Sequence, residues 1–307
     1  MTSSGESSPS TIEGLPLRHI IKHASDGVTD MADWRPMLIR RNDGFPRIMG
    51  VLNITPDSFH EESRLNSTES AVTRAVGMVE QGADWIDIGG ESTRPGAIPV
   101  NAEEEAARVV PIVRAVREAL PKTCISIDTR RSSVASRALD AGADLVNDVS
   151  ALSDPEMADL VANRGCPICV MHMQGTPEDM QNNPSYQDVV DDIRNTLGKA
   201  LSMLTDLGVD SSMIVADPGI GFGKTLEHNL SLLASGRDVV PDHRMPLMWG
   251  VSRKSMFFHL LNRESTDDRL AGSLGVAARA KDKGVDIIRV HDVAEHADLF
   301  AAMDALR

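Results

Sequence analysis

The chain has 307 residues, of which 41% are hydrophobic and 25% charged, as is typical of a globular protein with a sizeable core. Its formal net charge of -14 argues against general binding to nucleic acid or acidic lipid, because both need an excess of Lys and Arg. Its first residues lack the basic start and apolar run of a signal peptide, and no stretch approaches the length of a membrane span. We therefore expect a cytoplasmic protein without membrane or nucleic-acid partners, in which any anionic ligand binds a local cationic pocket.

The beginning of the chain differs in pattern from the rest. Residues 1–11 are rich in Ser, and residues 12–45 mix apolar and charged residues without a clean period. We predict a partly disordered N-terminal extension over residues 1–45, followed by one folded domain over residues 46–307.

From residue 46 onward, short apolar runs alternate with longer segments of helical periodicity. Runs that are apolar throughout need cover on both faces, and alternation with helices indicates parallel pairing through right-handed crossovers. Eight such units in about 260 residues favour a closed (β/α)8 TIM barrel, typically about 250 residues long, over an open sheet. The predicted strands are IMGVLNIT, WIDIGG, CISIDT, LVNDVS, PICVMHM, MIVADPG, PLMWGVS and IIRVHD.

The segments between the strands carry helix signals. Three of them end in Gly82-Ala83-Asp84, Gly142-Ala143-Asp144 and Gly284-Val285-Asp286, which predict turns with Gly as a left-handed helix cap. The clearest predicted helices are TESAVTRAVGMVEQ, AEEEAARVVPIVRAVREA, SSVASRALDA, VVDDIRNTLGKALSMLTDL and DDRLAGSLGVAARAKDK.

Polar clusters follow nearly every predicted strand. In a barrel of this kind the reacting groups lie at the C-terminal ends of the strands, where they face a common mouth. One acid at a strand end is usually a helix cap, but eight converging clusters exceed what capping requires. The clusters lie at residues 53–57, 91–96, 128–130, 147–148, 172–175, 217–219, 252–255 and 289–292.

These clusters contain two kinds of chemistry. Asp128, Asn147 and Asp217 offer carboxylate and amide groups suited to a flat heterocycle edged with N–H and carbonyl groups. A second set offers positive charge for phosphate or carboxylate and comprises Arg94, Arg253, Lys254, Arg289 and His291. The alternative is a structural ring of salt bridges, which would not need an Asn and Gly-rich loops. The pattern favours a site that binds a polar heterocycle and an anion together.

The stretch ADPGIGFGKT, residues 216–225, ends like a nucleotide-binding P-loop but does not have its spacing. A P-loop requires Gly where this chain has Pro218. A dinucleotide fingerprint would require Gly where it has Lys224. A nucleotide site is therefore not predicted here.

The three cysteines are too few for a disulfide framework, which fits a reducing compartment. Cys166 and Cys169 form a Cys-x-x-Cys pair, for which a redox or zinc role is the alternative to packing. Because the pair leads into the apolar run ICVMHM, we interpret it as part of a buried strand.

Seven segments of the chain, taken in order, resemble the motif series of dihydropteroate synthases over about residues 48–293. The resemblance implies condensation of 6-hydroxymethyl-7,8-dihydropterin pyrophosphate with p-aminobenzoate, release of pyrophosphate, a requirement for Mg²⁺ and a homodimer. The segments are LNITPDSF, DIGGESTRPGA, SIDTRRSSVASRALDAGADLVNDVS, VMHMQGTPEDMQ, ADPGIGFGKTLEHN, GVSRKS and RVHDV.

The same resemblance implies roles for individual residues. Asp128, Asp217, Lys254 and Arg289 are the implied catalytic residues. The residues implied to bind the pterin are Asp128, Asn147, Met171, Asp217, Phe222 and Lys254. Those implied to bind pyrophosphate are Asn53, Arg289 and His291, with Asn53 as the Mg²⁺ ligand. Those implied to border p-aminobenzoate are Thr93, Arg94, Pro95 and Ser252.

Two other functions share the pterin residues. A pterin-dependent methyltransferase of the same fold would leave Lys254 and Arg289 without a pyrophosphate to bind. A non-catalytic pterin-binding paralogue is indicated by one departure, because the chain reads His60-Glu61-Glu62-Ser63 where the family usually reads Ser-Asp-Gly-Gly. We predict that a chain with this loop is still an active synthase but uses p-aminobenzoate less efficiently.

Overall fold

A computed structural model of the chain describes residues 33–54, 64–92 and 100–306, and its centre is an eight-stranded parallel sheet. The strands are short and almost wholly buried, as their apolar sequences predict. They are β1 (Arg47–Asn53), β2 (Trp85–Gly89), β3 (Cys124–Asp128), β4 (Leu145–Asp148), β5 (Ile168–Met171), β6 (Ile214–Asp217), β7 (Met248–Trp249) and β8 (Ile287–Val290).

Each strand is followed by at least one helix, and each of the five helical segments predicted above overlaps a helix of the structure. In the described part of the chain no helix is both long and apolar enough to cross a membrane. The helices are α1 (Arg35–Leu38), α2 (Arg64–Glu80), α3 (Ala102–Ala119), α4 (Ser132–Asp140), α5 (Met157–Arg164), α6 (Val189–Asp206), α7 (Leu226–Ser235), α8 (Met256–Leu261), α9 (Leu270–Ala280) and α10 (Val293–Ala305).

The sheet closes on itself. Consecutive strands pair in parallel from β1 to β6, while β8 pairs with both β1 and β7. The remaining gap is bridged by Ala216 and Leu247, and the Ala216 N–H donates to the Pro246 carbonyl at 2.8 Å. The predicted (β/α)8 TIM barrel is therefore confirmed.

The apolar side chains form two separate layers. One layer lies between the strands and the surrounding helices. The other lies inside the barrel and contains one side chain from each strand, which are Met49, Trp85, Cys124, Leu145, Cys169, Val215, Met248 and Ile287. Since side chains alternate along a strand, the residues two positions further on face the same interior nearer the mouth.

The N-terminal end of the barrel, its base, is covered by residues that precede β1. Trp34 lies 6.4 Å from Trp85 between ring centroids, and the Trp85 indole N–H donates to the Met37 carbonyl at 2.9 Å. The described residues from Trp34 onward belong to one compact unit. Residues 34–45, which the sequence pattern assigned to the extension, therefore pack against the barrel, whereas the segment before them lies outside the described residues.

The three predicted helix-to-strand turns share one design at this base. Their glycines have left-handed φ angles of 105°, 112° and 72°. The Asp after each turn accepts a backbone N–H from a neighbouring strand or the segment leading into it, at 2.8–2.9 Å. Each Asp also pairs with an Arg, and the pairs are Asp84 with Arg47, Asp144 with Arg117 and Asp286 with Arg237.

Candidate active site

The polar residues predicted at the mouth occupy interior positions above the apolar layer. Asp128 and Asp217 are the last residues of β3 and β6, while Asn147 and Arg289 are the third residues of β4 and β8. Strand register pairs Asp128 with Asn147. Four predicted site residues are thus brought to one end of the barrel by strand pairing.

Arg289 is the centre of a partly buried ion-pair cluster, in which its own side chain is 20% exposed. Its Nε donates to Asp87 Oδ2 and its Nη2 donates to Asp128 Oδ2, both at 2.6 Å. Asn147 Nδ2 also donates to Asp87 Oδ2, at 3.3 Å. Burial lowers the pKa of the Arg289 guanidinium, but Asp87 and Asp128 raise it more, so the net shift is upward and the group stays charged.

The two acids predicted to read the heterocycle are strongly desolvated. Burial raises the pKa of Asp128 to about 7, although Arg289 opposes the shift, and the charges of Asp87 and Glu105 add to it. Burial likewise raises the pKa of Asp217, against the stabilising N–H of Gly219, which donates to Asp217 Oδ1 at 2.8 Å. Asp128 thus exchanges a proton more readily near neutral pH than an exposed acid does.

The segment after β6, from Pro218 to Lys224, is shaped by its glycines. Gly219, Gly221 and Gly223 have φ angles of 67°, 85° and 60°, which favour Gly over any other residue. A Cβ atom on Gly219 would lie 1.9 Å from the His172 carbonyl oxygen, so the segment could not pass this closely over the end of β5 with another residue.

Phe222, carried by this segment, faces Lys254 from the segment after β7. The Lys254 Nζ lies 3.9 Å from the centre of the Phe222 ring, which is a cation–π contact. Burial and, secondarily, the charge of Arg289 lower the pKa of Lys254 to about 8. Met171, the last residue of β5, is buried and pairs in register with Asp217. Met171 therefore lies beside Asp217 and Phe222 beside Lys254, while their implied packing against the pterin stays a prediction.

Lys224 is not placed as a nucleotide clamp. The residue is only 4% exposed, and its Nζ donates to the Phe222 carbonyl at 2.8 Å and contacts His172 Nδ1 at 3.1 Å. Burial and the nearby Lys224 charge lower the pKa of His172 to about 3, so its neutral ring accepts this hydrogen bond. Burial lowers the pKa of Lys224 to about 7, and its side-chain nitrogen connects the segments after β5 and β6.

Two residues assigned as cations from the sequence behave differently. Arg253 binds Asp292 through Nε at 2.9 Å and Asp267 through Nη1 at 2.8 Å, so its charge is engaged within the protein. Burial, followed by the charges of Arg289 and Arg253, lowers the pKa of His291 to about 4. His291 is therefore neutral at pH 7, and its assignment as a positive charge is wrong because composition does not report burial.

Ser252 holds the ring of His291. Its Oγ accepts the His291 backbone N–H at 3.2 Å and lies 3.1 Å from His291 Nδ1. The Ser252 hydroxyl can donate its own hydrogen to Nδ1, and in that tautomer the ring proton is on Nε2. A neutral His291 can still donate to an anion through that proton.

Some predicted residues stand apart from this cluster. Asn53 is the exposed last residue of β1. Thr93, Arg94 and Pro95, together with the unusual loop at residues 60–63, lie outside the described residues. Their implied roles stay predictions.

The sequence interpretation missed Asp87 and gave no role to Glu91, Glu105 or Arg131. Asp87 was read as part of the apolar run WIDIGG, although its position two residues after Trp85 places it inside the barrel. Glu91 binds Arg131 at 2.7 Å and accepts the Val100 N–H at 3.4 Å. It thus connects the residues that precede and follow positions 93–99 in the sequence. Arg131 also pairs with the fully buried Glu105.

The Cys-x-x-Cys pair has no metal or redox geometry. Cys169 lies in the layer inside the barrel, whereas Cys166 lies in the layer beneath the helices. Burial raises the pKa of Cys166 to about 11 and that of Cys169 well above its usual value, which disfavours the reactive thiolate. Both thiols are free and packed among apolar neighbours.

A parallel barrel whose mouth combines buried acids and an amide with a partly buried Arg and Lys defines the class of protein, namely an enzyme that binds a polar heterocycle beside an anion. The sequence matches the family described as Pterin binding enzyme over residues 49–291, and the chain belongs to this family. The family predicted from the motif series is thus confirmed.

Characterised relatives agree with this assignment. The chain is 42% identical over 260 residues to a dihydropteroate synthase of Escherichia coli, covering 85% of this chain and 91% of that protein. A Yersinia pestis dihydropteroate synthase solved with a sulfonamide drug is 40% identical with a TM-score of 0.79, covering 87% and 96% of the two chains. A Xanthomonas albilineans dihydropteroate synthase solved with 4-aminobenzoic acid is 38% identical with a TM-score of 0.78, covering 85% and 93%.

Proposed function

We propose that this protein is a dihydropteroate synthase, a transferase of folate biosynthesis that joins 6-hydroxymethyl-7,8-dihydropterin pyrophosphate to p-aminobenzoate and releases pyrophosphate. The observation that carries the proposal is the cluster in which Arg289 contacts Asp128, next to Asn147, at the mouth of a pterin-binding barrel. A heterocycle held by the acids and the amide would bring an attached anion beside the guanidinium.

The pterin would bind along the acidic side of the mouth. Asp128 and Asp217 would accept hydrogen bonds from ring N–H groups, and Asn147 would pair with the ring edge. Met171 and Phe222 would pack against the ring faces, and Lys254 would donate to the ring from above Phe222.

The pyrophosphate would bind the cationic side of the mouth. Arg289 would supply the charge, and His291 would donate through Nε2 in its neutral form. Ser252, which orients His291, would also border p-aminobenzoate together with Thr93, Arg94 and Pro95. This division of roles follows the motif positions of the family.

We further propose that Mg²⁺ binds only together with pyrophosphate. Within the described ranges no three His, Cys, Asp or Glu side chains are arranged to hold a metal ion. Asn53 offers an amide oxygen at the exposed end of β1. This donor set fits a Mg²⁺ ion, which typically has one or two protein ligands completed by substrate phosphates and water. When bound, the ion would neutralise charge on the leaving group.

The reaction would break the bond between the pterin methylene carbon and the pyrophosphate oxygen and form a carbon–nitrogen bond to the arylamine, which loses a proton. Arg289 would stabilise the negative charge that develops on the departing pyrophosphate. Asp128 and Asp217, when ionised, would stabilise positive charge on the pterin in a site largely closed to water. These residues need no covalent intermediate with the enzyme.

A coupled assay for pyrophosphate tests this function. The protein would be mixed with the pterin pyrophosphate and Mg²⁺, with and without p-aminobenzoate. The expected result is pyrophosphate release that depends on p-aminobenzoate and yields one dihydropteroate per pyrophosphate. Binding of the pterin substrate without release would indicate the non-catalytic paralogue, and methyl transfer in place of release would indicate the methyltransferase.

We also propose a cytoplasmic homodimer. Helices α7 and α8 contact each other and carry several large apolar side chains that are more than a third exposed. These side chains are Leu230, Phe258, Leu260 and Leu261. Phe258→Glu together with Leu261→Glu should halve the mass measured by light scattering. Met203→Glu, an exposed position on α6, is the matched control and should leave the mass unchanged. Monomeric native protein at micromolar concentration would contradict the dimer.

A further inference from the structure

Asp87 is a fully buried carboxylate that none of the proposed substrate contacts uses. It lies in the middle of β2, faces the interior of the barrel and is 0% exposed. A buried carboxylate without compensation is costly, so its partners indicate what it is for.

Both partners of Asp87 belong to the proposed substrate site. Its Oδ2 accepts hydrogen bonds from Arg289 Nε at 2.6 Å and from Asn147 Nδ2 at 3.3 Å. Its Oδ1 has no hydrogen-bond partner among the described residues. One oxygen atom thus connects the residue proposed to bind the anion with a residue proposed to bind the heterocycle.

The contact with Arg289 determines which edge of the guanidinium is available. Asp87 takes Nε and Asp128 takes Nη2, so the planar group is held at two corners. No hydrogen bond from Nη1 is found within the described ranges. The guanidinium therefore has a fixed plane before any ligand binds, which reduces the entropy lost on binding.

The contact with Asn147 determines which way its amide points. A carboxylate only accepts hydrogen bonds, so the group that faces Asp87 must be the NH₂. Asn147 Oδ1 is then directed elsewhere, and this buried oxygen has no partner in the described part of the chain. Asp87 thereby leaves Asn147 Oδ1 as an unpaired acceptor. This acceptor belongs to the residue that pairs with Asp128 in the strand register.

We infer that Asp87 is a positioning residue for the reaction, which fixes the Arg289 guanidinium for the anionic group of the substrate and the Asn147 carbonyl for its heterocycle. This inference rests on the proposed function for the identity of the two ligand groups. It makes one carboxylate responsible for the alignment of both halves of a single substrate.

The test is a pair of double-mutant cycles measured by binding rather than by turnover. Inorganic pyrophosphate with Mg²⁺ probes Arg289, and 6-hydroxymethylpterin, which lacks the anion, probes Asn147. Asp87→Asn should weaken pyrophosphate binding by about tenfold, the scale of one misaligned charged hydrogen bond. In an Arg289→Ala background the same Asp87→Asn change should have less than about a twofold effect.

The second cycle replaces Arg289→Ala by Asn147→Ala and pyrophosphate by the pterin. Asp87→Asn should again weaken binding about tenfold alone and less than about twofold in the Asn147→Ala background. Asp87→Ala repeats both measurements without an amide that could mimic the carboxylate. Every variant is measured at least 15 degrees below its own melting temperature, which separates binding from unfolding.

Asp286→Asn is the matched control, because Asp286 is equally buried and also binds an Arg at 2.6 Å, but at the base. It should lower the melting temperature and leave both dissociation constants unchanged. Equal effects of Asp87→Asn in all backgrounds, or a loss of stability with normal binding, would overturn the inference. The cycles need no catalysis, so coupling without synthase activity would refute only the proposed function, and activity without coupling only the role of Asp87.

Discussion

The two ends of the barrel both contain buried carboxylates, but they use them differently. At the base, Asp84 uses one oxygen for Arg47 and the other for the Ile48 N–H. Asp286 similarly divides its oxygens, because Oδ1 accepts the Arg40 backbone N–H and Oδ2 accepts the Leu247 N–H and the Arg237 side chain. Each acid is thus satisfied by an Arg and the main chain, so these contacts contribute to stability alone.

At the mouth, the acids share one cation and leave acceptors unpaired. Asp87 and Asp128 both bind Arg289, while Asp87 Oδ1 and Asn147 Oδ1 have no partner among the described residues. Unpaired buried acceptors cost stability, and a ligand with matching donors recovers that cost on binding. The same residue type therefore serves folding where its hydrogen bonds are complete and binding where they are not.

Gly219 and Gly165 offer the sharpest comparison of mouth and base. Both have left-handed φ angles, 67° and 62°, but a Cβ on Gly219 would lie 1.9 Å from the His172 carbonyl, whereas a Cβ on Gly165 meets nothing within 4 Å. Gly219→Ala should displace the segment that carries Phe222 and lower kcat/KM by at least about a hundredfold, since ångström-scale misplacement has that effect. Pyrophosphate release at low substrate concentration measures it.

Gly165→Ala is the control for Gly219→Ala. It should cost about 1 kcal/mol of unfolding free energy from backbone strain and leave kcat/KM within about twofold. Similar activity losses in both variants would mean that the close approach at the mouth has no special importance.

Arg289 and Arg237 provide the next comparison, because each binds a buried Asp at 2.6 Å. Arg289→Ala should lower kcat/KM for the pterin pyrophosphate by about tenfold to a hundredfold, as expected for a lost charged hydrogen bond. Arg237→Ala should instead cost about 3 kcal/mol of stability, because the buried Asp286 would lose its closer cation and keep only Arg40, whose Nε lies 3.5 Å from Oδ1. Urea unfolding and steady-state kinetics on both variants decide whether the two roles separate.

The pH dependence should come from the mouth alone. Asp128, with a pKa of about 7, becomes the acceptor carboxylate as the pH rises, and Lys254 loses its charge above a pKa of about 8. The profile of kcat/KM should therefore be a narrow bell between these values, falling about tenfold per pH unit on either side. Asp128→Asn should remove the acidic limb, whereas Asp144→Asn at the base should retain it.

Ionisation of Asp128 should raise kcat/KM but lower the stability of the fold. Its folded pKa lies above the ordinary value, so the protonated form favours the folded state below about pH 4, and this contribution is lost as the pH rises through about 7. Thermal melting of the native protein and Asp128→Asn between pH 4 and 8 measures this difference. A parallel pH dependence in the two proteins would contradict it.

Much of this molecule can be predicted from sequence because its signals are local. The alternation of apolar runs and amphipathic segments identified the barrel, and strand ends such as Asp128 and Asn147 carried the site. Asp87 was not predicted as a site residue, because the side to which a polar residue in an apolar run points is known only once the strand register is known. The charge of His291 and the partners of Arg253 also depend on burial and on Asp292, which are tertiary features.

The smallest expected effect concerns Lys224, a mouth residue whose contacts resemble those at the base. Its ammonium is satisfied by the Phe222 carbonyl and His172, whereas Lys254 lies over the Phe222 ring. Lys254→Met should lower kcat/KM about tenfold to a hundredfold, because it removes a group proposed to contact the pterin. Lys224→Met should raise KM for the pterin pyrophosphate only about threefold, since it loosens the segment without removing a substrate contact.

Steady-state kinetics on both variants, with ATP binding measured by calorimetry, tests this ranking. Tight ATP binding that Lys224→Met abolishes would restore the nucleotide interpretation, and equal losses from the two substitutions would place Lys224 among the substrate-binding residues.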